Sequence, residues 1–305
     1  MTLKRTGFIP IPPGREPGFD HADIFQDEAG AVRLYVAHTG ADRVDVIDCA
    51  AQTWLRALPD HPGVAGILID AGADLLFTSD RAAAQVGVYR CSDEVLLARV
   101  AVGPRPNGLA FDPGRRRLFS FNLGEPAGEN CTTSVIDLER RQVVSTIALP
   151  GRPRWAVYDA ATDQVYANIR DPAQIVAIDA ASLAIARVIA VPTDGPHGLW
   201  IDGQWLYCAA DGKALEVLHR DSGTVKASLP LPGTPDAVMH DAVLGHLYVA
   251  IGDPGLIAVA DTRSLEIIEI VPTEPGAHTL GIDPDCHAVY VFLPASGGAA
   301  VYEDR

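Results

Sequence analysis

The 305-residue sequence holds no apolar run long enough to cross a bilayer as a helix, which argues against a helical membrane protein. It is short of positive charge. Twenty-four Lys and Arg stand against 39 Asp and Glu, for a net charge of −15. That balance repels nucleic acid and anionic membrane surfaces, so neither is expected as a partner. The one basic cluster, Arg115 to Arg117, reads as a solvated turn. Cysteine is scarce: Cys49, Cys91, Cys131, Cys208 and Cys286 lie far apart with no CxxC pair. An odd, scattered set argues against a disulfide framework or a structural zinc site. Also missing are a Gly-rich phosphate loop, an HExxH pair, a CxxCH haem motif and a Ser-His-Asp elbow, so no nucleotide cofactor or haem is expected. Behind the basic residues of "MTLKRTGFIPIPPG" there is no apolar h-region, which points to a cytoplasmic protein.

No segment sustains a 3.6-residue apolar period, which leaves little for helices. What is present instead is a repeat. An Asp closing a short apolar run recurs at Asp27, Asp70, Asp112, Asp159, Asp202, Asp241 and Asp283, at intervals of 39 to 47 residues. Shortly after each comes an aromatic in a second apolar run: Tyr35, Phe77, Phe119, Tyr166, Tyr207, Tyr248 and Tyr290. A third run ("VDVID", "TSVID", "IVAID") and a fourth ("VVSTIALPG") complete the unit. The runs are short, rich in Val, Ile and aromatics, and bounded by Gly, Pro and Asp, which is strand chemistry. Four strands at a period near 42 residues predict a single seven-bladed β-propeller over residues 1–305. The seventh unit stops at "GGAAVYEDR" without its fourth strand, and "RTGFIPIPPG" at the N-terminus has the form of the missing piece. The N-terminal strand is therefore expected to join the last blade and close the ring, removing exposed sheet edges.

The repeat aspartates read as turn residues that bond their own backbone, and so do the "ID" aspartates Asp48, Asp137, Asp179 and Asp261. The residue after the repeat proline behaves differently. It opens the innermost strand, where side chains from all blades converge on the axis. Around the ring it reads His21 (with Asp23 as the alternative register), Ala65, Asn107, Arg154, His197, Asp236 and His278. Packing requires no histidine there, as Ala65 and Asn107 demonstrate. Converging imidazoles suit a divalent transition metal, Zn, Fe, Cu or Ni. Trp155, where other blades have small residues, is expected either to wall the mouth or to pack between blades. His38 and His61 stand within reach of the same face. His219, His240, His246 and His287 fall in turns or outer strands and read as surface residues.

Two stretches, "LYVAHTGADRVDVIDCAAQT" and "GPRPNGLAFDPGRRRLFSFN", carry a resemblance to the YVTN family of seven-bladed propellers that extends over nearly the whole chain. "PHGLWIDGQWLYCAAD" is similar to a segment of the streptogramin B lyases, in which a His opens the inner strand and a Glu ends the next. The matching positions are His197 and Asp211, with Asp in place of Glu, and the family's second histidine falls near Arg154. The resemblance implies that His197 takes part in the chemistry and Asp211 in metal binding.

Two functions are thus expected. The first is a metal-assisted lyase or ring-opening, lactonase-like enzyme acting on a small molecule at the channel mouth. In it His197 and Arg154 are catalytic, Asn107, Trp155 and Asp236 bind substrate, and His21, His197, His278 and Asp211 hold the metal. The second is a non-catalytic scaffold binding a protein or peptide on its loop face. A scaffold is expected to expose apolar side chains on top loops such as "FNLGEPAGEN" and "FLPASGG".

Overall fold

A computed structural model describes residues 3–305. Twenty-eight strands, numbered β1 to β28 in chain order, form seven four-stranded antiparallel sheets with no α-helix among the described residues. Each sheet is one blade, and the blades close into a ring. The innermost strands are β2 (Ala22–Gln26), β6 (Val64–Asp70), β10 (Pro106–Asp112), β14 (Pro153–Asp159), β18 (Pro196–Asp202), β22 (Thr234–Asp241) and β26 (Thr279–Asp283). The last blade is completed as the sequence predicts. β1 (Leu3–Pro10) pairs antiparallel with β28 (Gly298–Asp304), from Leu3 opposite Asp304 to Pro10 opposite Gly298. Among the described residues no helix is long and apolar enough to cross a membrane.

Strand chemistry sets the core. The seven repeat aromatics on the second strands are all buried. Aliphatic clusters fill the spaces between adjacent blades, as where Ile9 and Val301 of the last blade meet Leu34 and Val36 of the first. The repeat aspartates do the turn work expected of them. Asp27 Oδ1 accepts from the N–H of Ala29 and Ala31, Asp70 from Ala73, Asp112 from Arg115 and Asp241 from Val243 and Leu244. Asp48, Asp137, Asp179 and Asp261 do the same in the turns before the outer strands.

Several histidines serve the scaffold. His61 is fully buried and its Nδ1 lies 3.0 Å from Asp80 Oδ1, with Tyr89 Oη 3.0 Å from its Nε2. His38 is buried against Asp45 at 2.6 Å, and Asp45 also accepts from Arg43 and Trp54. Neither residue takes part in the axial cluster. The surface reading fails for three more. His246 pairs with Asp304 at 2.7 Å and His287 with Asp241 at 2.6 Å, two reciprocal links between the sixth and seventh blades. His240 is buried edge-on to Trp200. The physical reason is that propeller turns lie over the seams between blades, where a buried carboxylate needs a partner. Only His219 keeps a turn role, accepting from the N–H groups of Asp221 and Ser222.

The inner strands carry the feature that builds the site. In β6, β10, β14, β18 and β22 the pairing register breaks just after the opening residue, between Val64 and Ile67, Pro106 and Leu109, Pro153 and Ala156, Pro196 and Leu199, and Pro235 and Val238. Such a bulge turns its unpaired residues away from the ladder. The unpaired residues include Ala65, Asn107, Arg154, His197 and Asp236, the variable position of the repeat. Gly108 and Gly198 follow Asn107 and His197 because the next blade leaves no room: a Cβ there would collide with the carbonyl oxygens of Arg154 and Asp236. Gly108→Ala is expected to lower unfolding stability by ~1–3 kcal/mol, the usual cost of overpacking. An unchanged urea midpoint would contradict this backbone contact.

Candidate functional site at the channel mouth

Seven bulged or strand-opening positions converge on one end of the axis. His21 settles the register of the first blade. It opens β2, donates its backbone N–H to Ala65 O at 3.0 Å, and its ring faces the axis. Asp23 points instead along the wall between the first two blades, where it accepts from the N–H of Ile24 at 2.8 Å and Ile69 at 2.7 Å. Burial pushes its carboxyl up to about 6 despite those two bonds.

Trp155 crosses the axis. It comes from the fourth blade and stacks on His21 of the first, ring centroids 4.0 Å apart and planes 15° from parallel. It also packs against the aliphatic clusters of blades four to seven. Of the two expectations for Trp155, the structure displays the packing one, with the ring lying between blades and across the axis. Its Nε1 is buried with no hydrogen-bond partner. Trp155→Ala is expected to lower the melting temperature by several degrees through lost aromatic burial of ~3–5 kcal/mol. An unaltered melting curve would contradict this packing.

His197 is the most constrained side chain of the mouth. Its Nδ1 lies 2.9 Å from Asp211 Oδ1 and its Nε2 3.2 Å from Asp236 Oδ1. Asp211 is held in turn by Arg170 Nε at 2.9 Å. Burial alone would raise the Asp211 carboxyl, but the hydrogen bond and charge of His197, then those of Arg170, outweigh it and hold the group below the usual range. Asn168 fixes the strand beneath by donating to the carbonyls of His197 and Gly198. His197 therefore has a fixed ring plane with a carboxylate on each nitrogen.

On the opposite wall, Asp20 pairs with Arg81 at 2.9 Å and lies 3.5 Å from His21 Nε2. Burial would raise Asp20, but Arg81 and the histidines His21, His278 and His197 overcome it and lower the carboxyl. Arg81 also donates to Asn107 Oδ1. His21 is pushed down by its own burial, against the pull of Asp20 and Asp236. His278 is half-buried and bonds through Nδ1 to Gly276 O at 2.8 Å. Arg154 lies beside this group, its side chain without an ion pair or hydrogen bond among the described residues. Burial, then the neighbouring charge of Arg152, lowers its guanidinium to about 10.

The predicted site residues thus share one region: His21, Asn107, Arg154, Trp155, His197, Asp211, Asp236 and His278. Among the described residues no three His, Cys, Asp or Glu side chains are grouped so as to hold a metal ion. Both nitrogens of His197 are already engaged by carboxylates, and His21 Nε2 lies 3.5 Å from Asp20. Sequence reading missed Arg81, Arg105, Arg152 and Arg170. A signal was present, since Arg105 and Arg152 each precede a repeat proline and Arg81 and Arg170 each follow a second strand.

This arrangement defines a seven-bladed propeller with a polar, histidine-centred mouth. No protein-family model and no curated protein matches the chain. Solved structures do. The chain is similar to a chain of hydrazine synthase from Kuenenia stuttgartiensis, with TM-score 0.81 and 15% identity over 95% of this chain and 96% of that one. It is also similar to a chain of the mitotic checkpoint complex, with TM-score 0.82 and 11% identity over 98% and 91%. At such identities the likeness concerns the fold alone.

Proposed function

We propose that this protein is an enzyme of the lyase or ring-opening type, acting at the channel mouth on a small molecule that carries a carboxylate. One observation carries the reading: His197 is clamped between Asp211 and Asp236 beside the unpaired Arg154. Asp211 orients the ring through Nδ1, as a third group orients the histidine in nucleophile–base–acid arrays. Nε2 is then the atom that exchanges protons, and the Asp236 carboxylate beside it takes up the Nε2 proton as substrate enters, which frees Nε2 to act as the base. Arg154 holds the carboxylate as a bidentate donor. The resemblance of "PHGLWIDGQWLYCAAD" to the lyase segment supports the same histidine.

For ring opening, His197 Nε2 takes a proton from water while the water oxygen bonds to the lactone carbonyl carbon. The carbonyl electron pair moves onto oxygen and returns as the ring C–O bond breaks. The departing alkoxide then takes the proton back from His197. In an elimination, the proton comes from the carbon α to the carboxylate and is likewise returned to the leaving oxygen. Neither route needs an oxidant or a metal-bound step.

The loop face favours this reading over a protein-binding scaffold. In "FNLGEPAGEN" the residues Phe121 and Leu123 are buried, and in "FLPASGG" so are Phe292 and Leu293. No large apolar side chain of these loops is exposed.

The test is a panel of lactones bearing a free carboxylate, with acid release followed by pH-stat, and matched β-alkoxy acids, with unsaturated product followed by absorbance. Turnover is expected in the wild type and is expected to fall ~100-fold or more in His197→Gln, the usual worth of a general acid–base group. Turnover equal in wild type and His197→Gln, or none on either panel, would overturn the proposal.

A further inference from the structure

The mouth holds more positive charge than one substrate carboxylate uses. Arg105, Arg152 and Arg154 have neither an ion pair nor a side-chain hydrogen bond among the described residues. The Nε atoms of Arg81, Arg152 and Arg154 are buried with no partner. Arg152 is itself pulled down by burial and then by the charges of Arg170, Arg81 and Arg105, so these guanidiniums stand close enough to repel one another. Arg81 is compensated by Asp20 and Arg170 by Asp211; the other three are not compensated by any carboxylate in contact. The crowding occurs in a chain whose net charge is −15, with carboxylates to spare elsewhere. Arg152 and Arg154 are partly buried, so their charges without a counter-ion cost free energy in the empty state and an anion relieves that cost, while Arg105 is exposed and open to it. The fold supplies them deliberately from three blades: Arg81 from the second, Arg105 from the turn before β10, and Arg152, Arg154 and Arg170 from the fourth.

We infer that the arginines form a second anion subsite beside the one at Arg154, so that the mouth takes a small molecule bearing at least two anionic groups. Arg154 binds the group next to the reacting centre, and Arg152 with Arg105 binds the distal one. This extends the enzymatic reading, on which the placement of the first group relative to His197 rests. Bidentate guanidinium contacts serve carboxylate and phosphate alike, and the shared chemistry is a compact polyanion. Asp211 and Asp236, which flank His197, reject an anion there and so fix which end of the ligand faces that ring.

Direct binding tests this without any turnover. Calorimetry at low salt is run with tricarballylate, pyrophosphate and acetate. One polyanion per chain is expected to bind, at least tenfold more tightly than acetate, with affinity falling as salt rises. Whichever of tricarballylate and pyrophosphate binds more tightly tells carboxylate from phosphate. Arg152→Gln and Arg105→Gln are each expected to weaken it tenfold or more. Arg140→Gln, which removes an exposed turn charge, is expected to leave it within threefold. Melting curves confirm that each variant is folded. No binding of either polyanion, equal binding of acetate, or affinity unmoved in both Arg152→Gln and Arg105→Gln would overturn the subsite. If polyanions bind but no His197-dependent turnover is found, the subsite stands and the enzymatic reading falls; the reverse pattern separates them the other way.

Discussion

Removal of residues 1–12 is expected to lower the melting temperature by ~10–20 °C. β1 contributes Leu3, Ile9 and, just beyond it, Ile11, all buried, and a full ladder to β28. Burying three such side chains stabilises by ~5–9 kcal/mol, and a chain of this length loses roughly 2 °C per kcal/mol. The loss is also topological. Without β1 the outer edge of β28 is bare and the ring has no closing strand, which invites edge pairing and aggregation. Leu3 N–H additionally donates to Glu269 of the sixth blade at 3.0 Å, so the strand ties two blades together. A melting temperature within ~2 °C of the full chain would contradict the closure.

Asp23 alone is expected to cost the folded chain ~3 kcal/mol as pH rises from below 3.8 to above 6, taking about two units of displacement at 1.36 kcal/mol each. The sign follows from the displaced carboxyl. Asp23 sits near 6 in the folded chain against 3.8 ordinarily, so the folded state holds its proton more tightly. That contribution is complete below 3.8 and is lost as pH rises through 6. Asp20 and Asp211 are displaced the other way, and their contribution is present above 3.8 and lost as pH falls below it. His21 and His240, held below 6.5 by burial, also favour the folded chain above 6.5 and lose that contribution as pH falls, so the Asp23 contribution is read as the difference between wild type and Asp23→Asn. Denaturant unfolding at pH 5 and 7.5 checks it, with the wild type expected to lose more stability, or gain less, than Asp23→Asn between the two. An Asp23→Asn profile parallel to the wild type would show that Asp23 is not the group responsible.

The fold was legible because a propeller is written locally. Each blade repeats the same strand lengths, the same aromatic and the same Asp turn, so one unit read well predicts seven. Even the closing strand could be matched by form. The mouth position was legible for the same reason, since what varies within a constant repeat is free of packing duty. The partners at the mouth were not legible. That His197 would lie between Asp211 and Asp236, or Trp155 on His21 across more than a hundred residues of chain, depends on how the bulges turn each side chain and how close the blades approach. Repeat spacing carries neither quantity. The arginine arc was hidden because its members come from two different loop classes, one before the inner strand and one after the second. The histidines at the sixth and seventh blades were misjudged because turn sequence alone does not reveal a buried carboxylate from the neighbouring blade.

The most direct measurement of the central claim is a crystal structure with tricarballylate soaked into the protein at low salt. The account predicts one carboxylate on Arg154, another on Arg152 and Arg105, and the ligand carbon chain within reach of His197 Nε2. A ligand bound away from the mouth, or a mouth left unaltered at saturating tricarballylate, would contradict it.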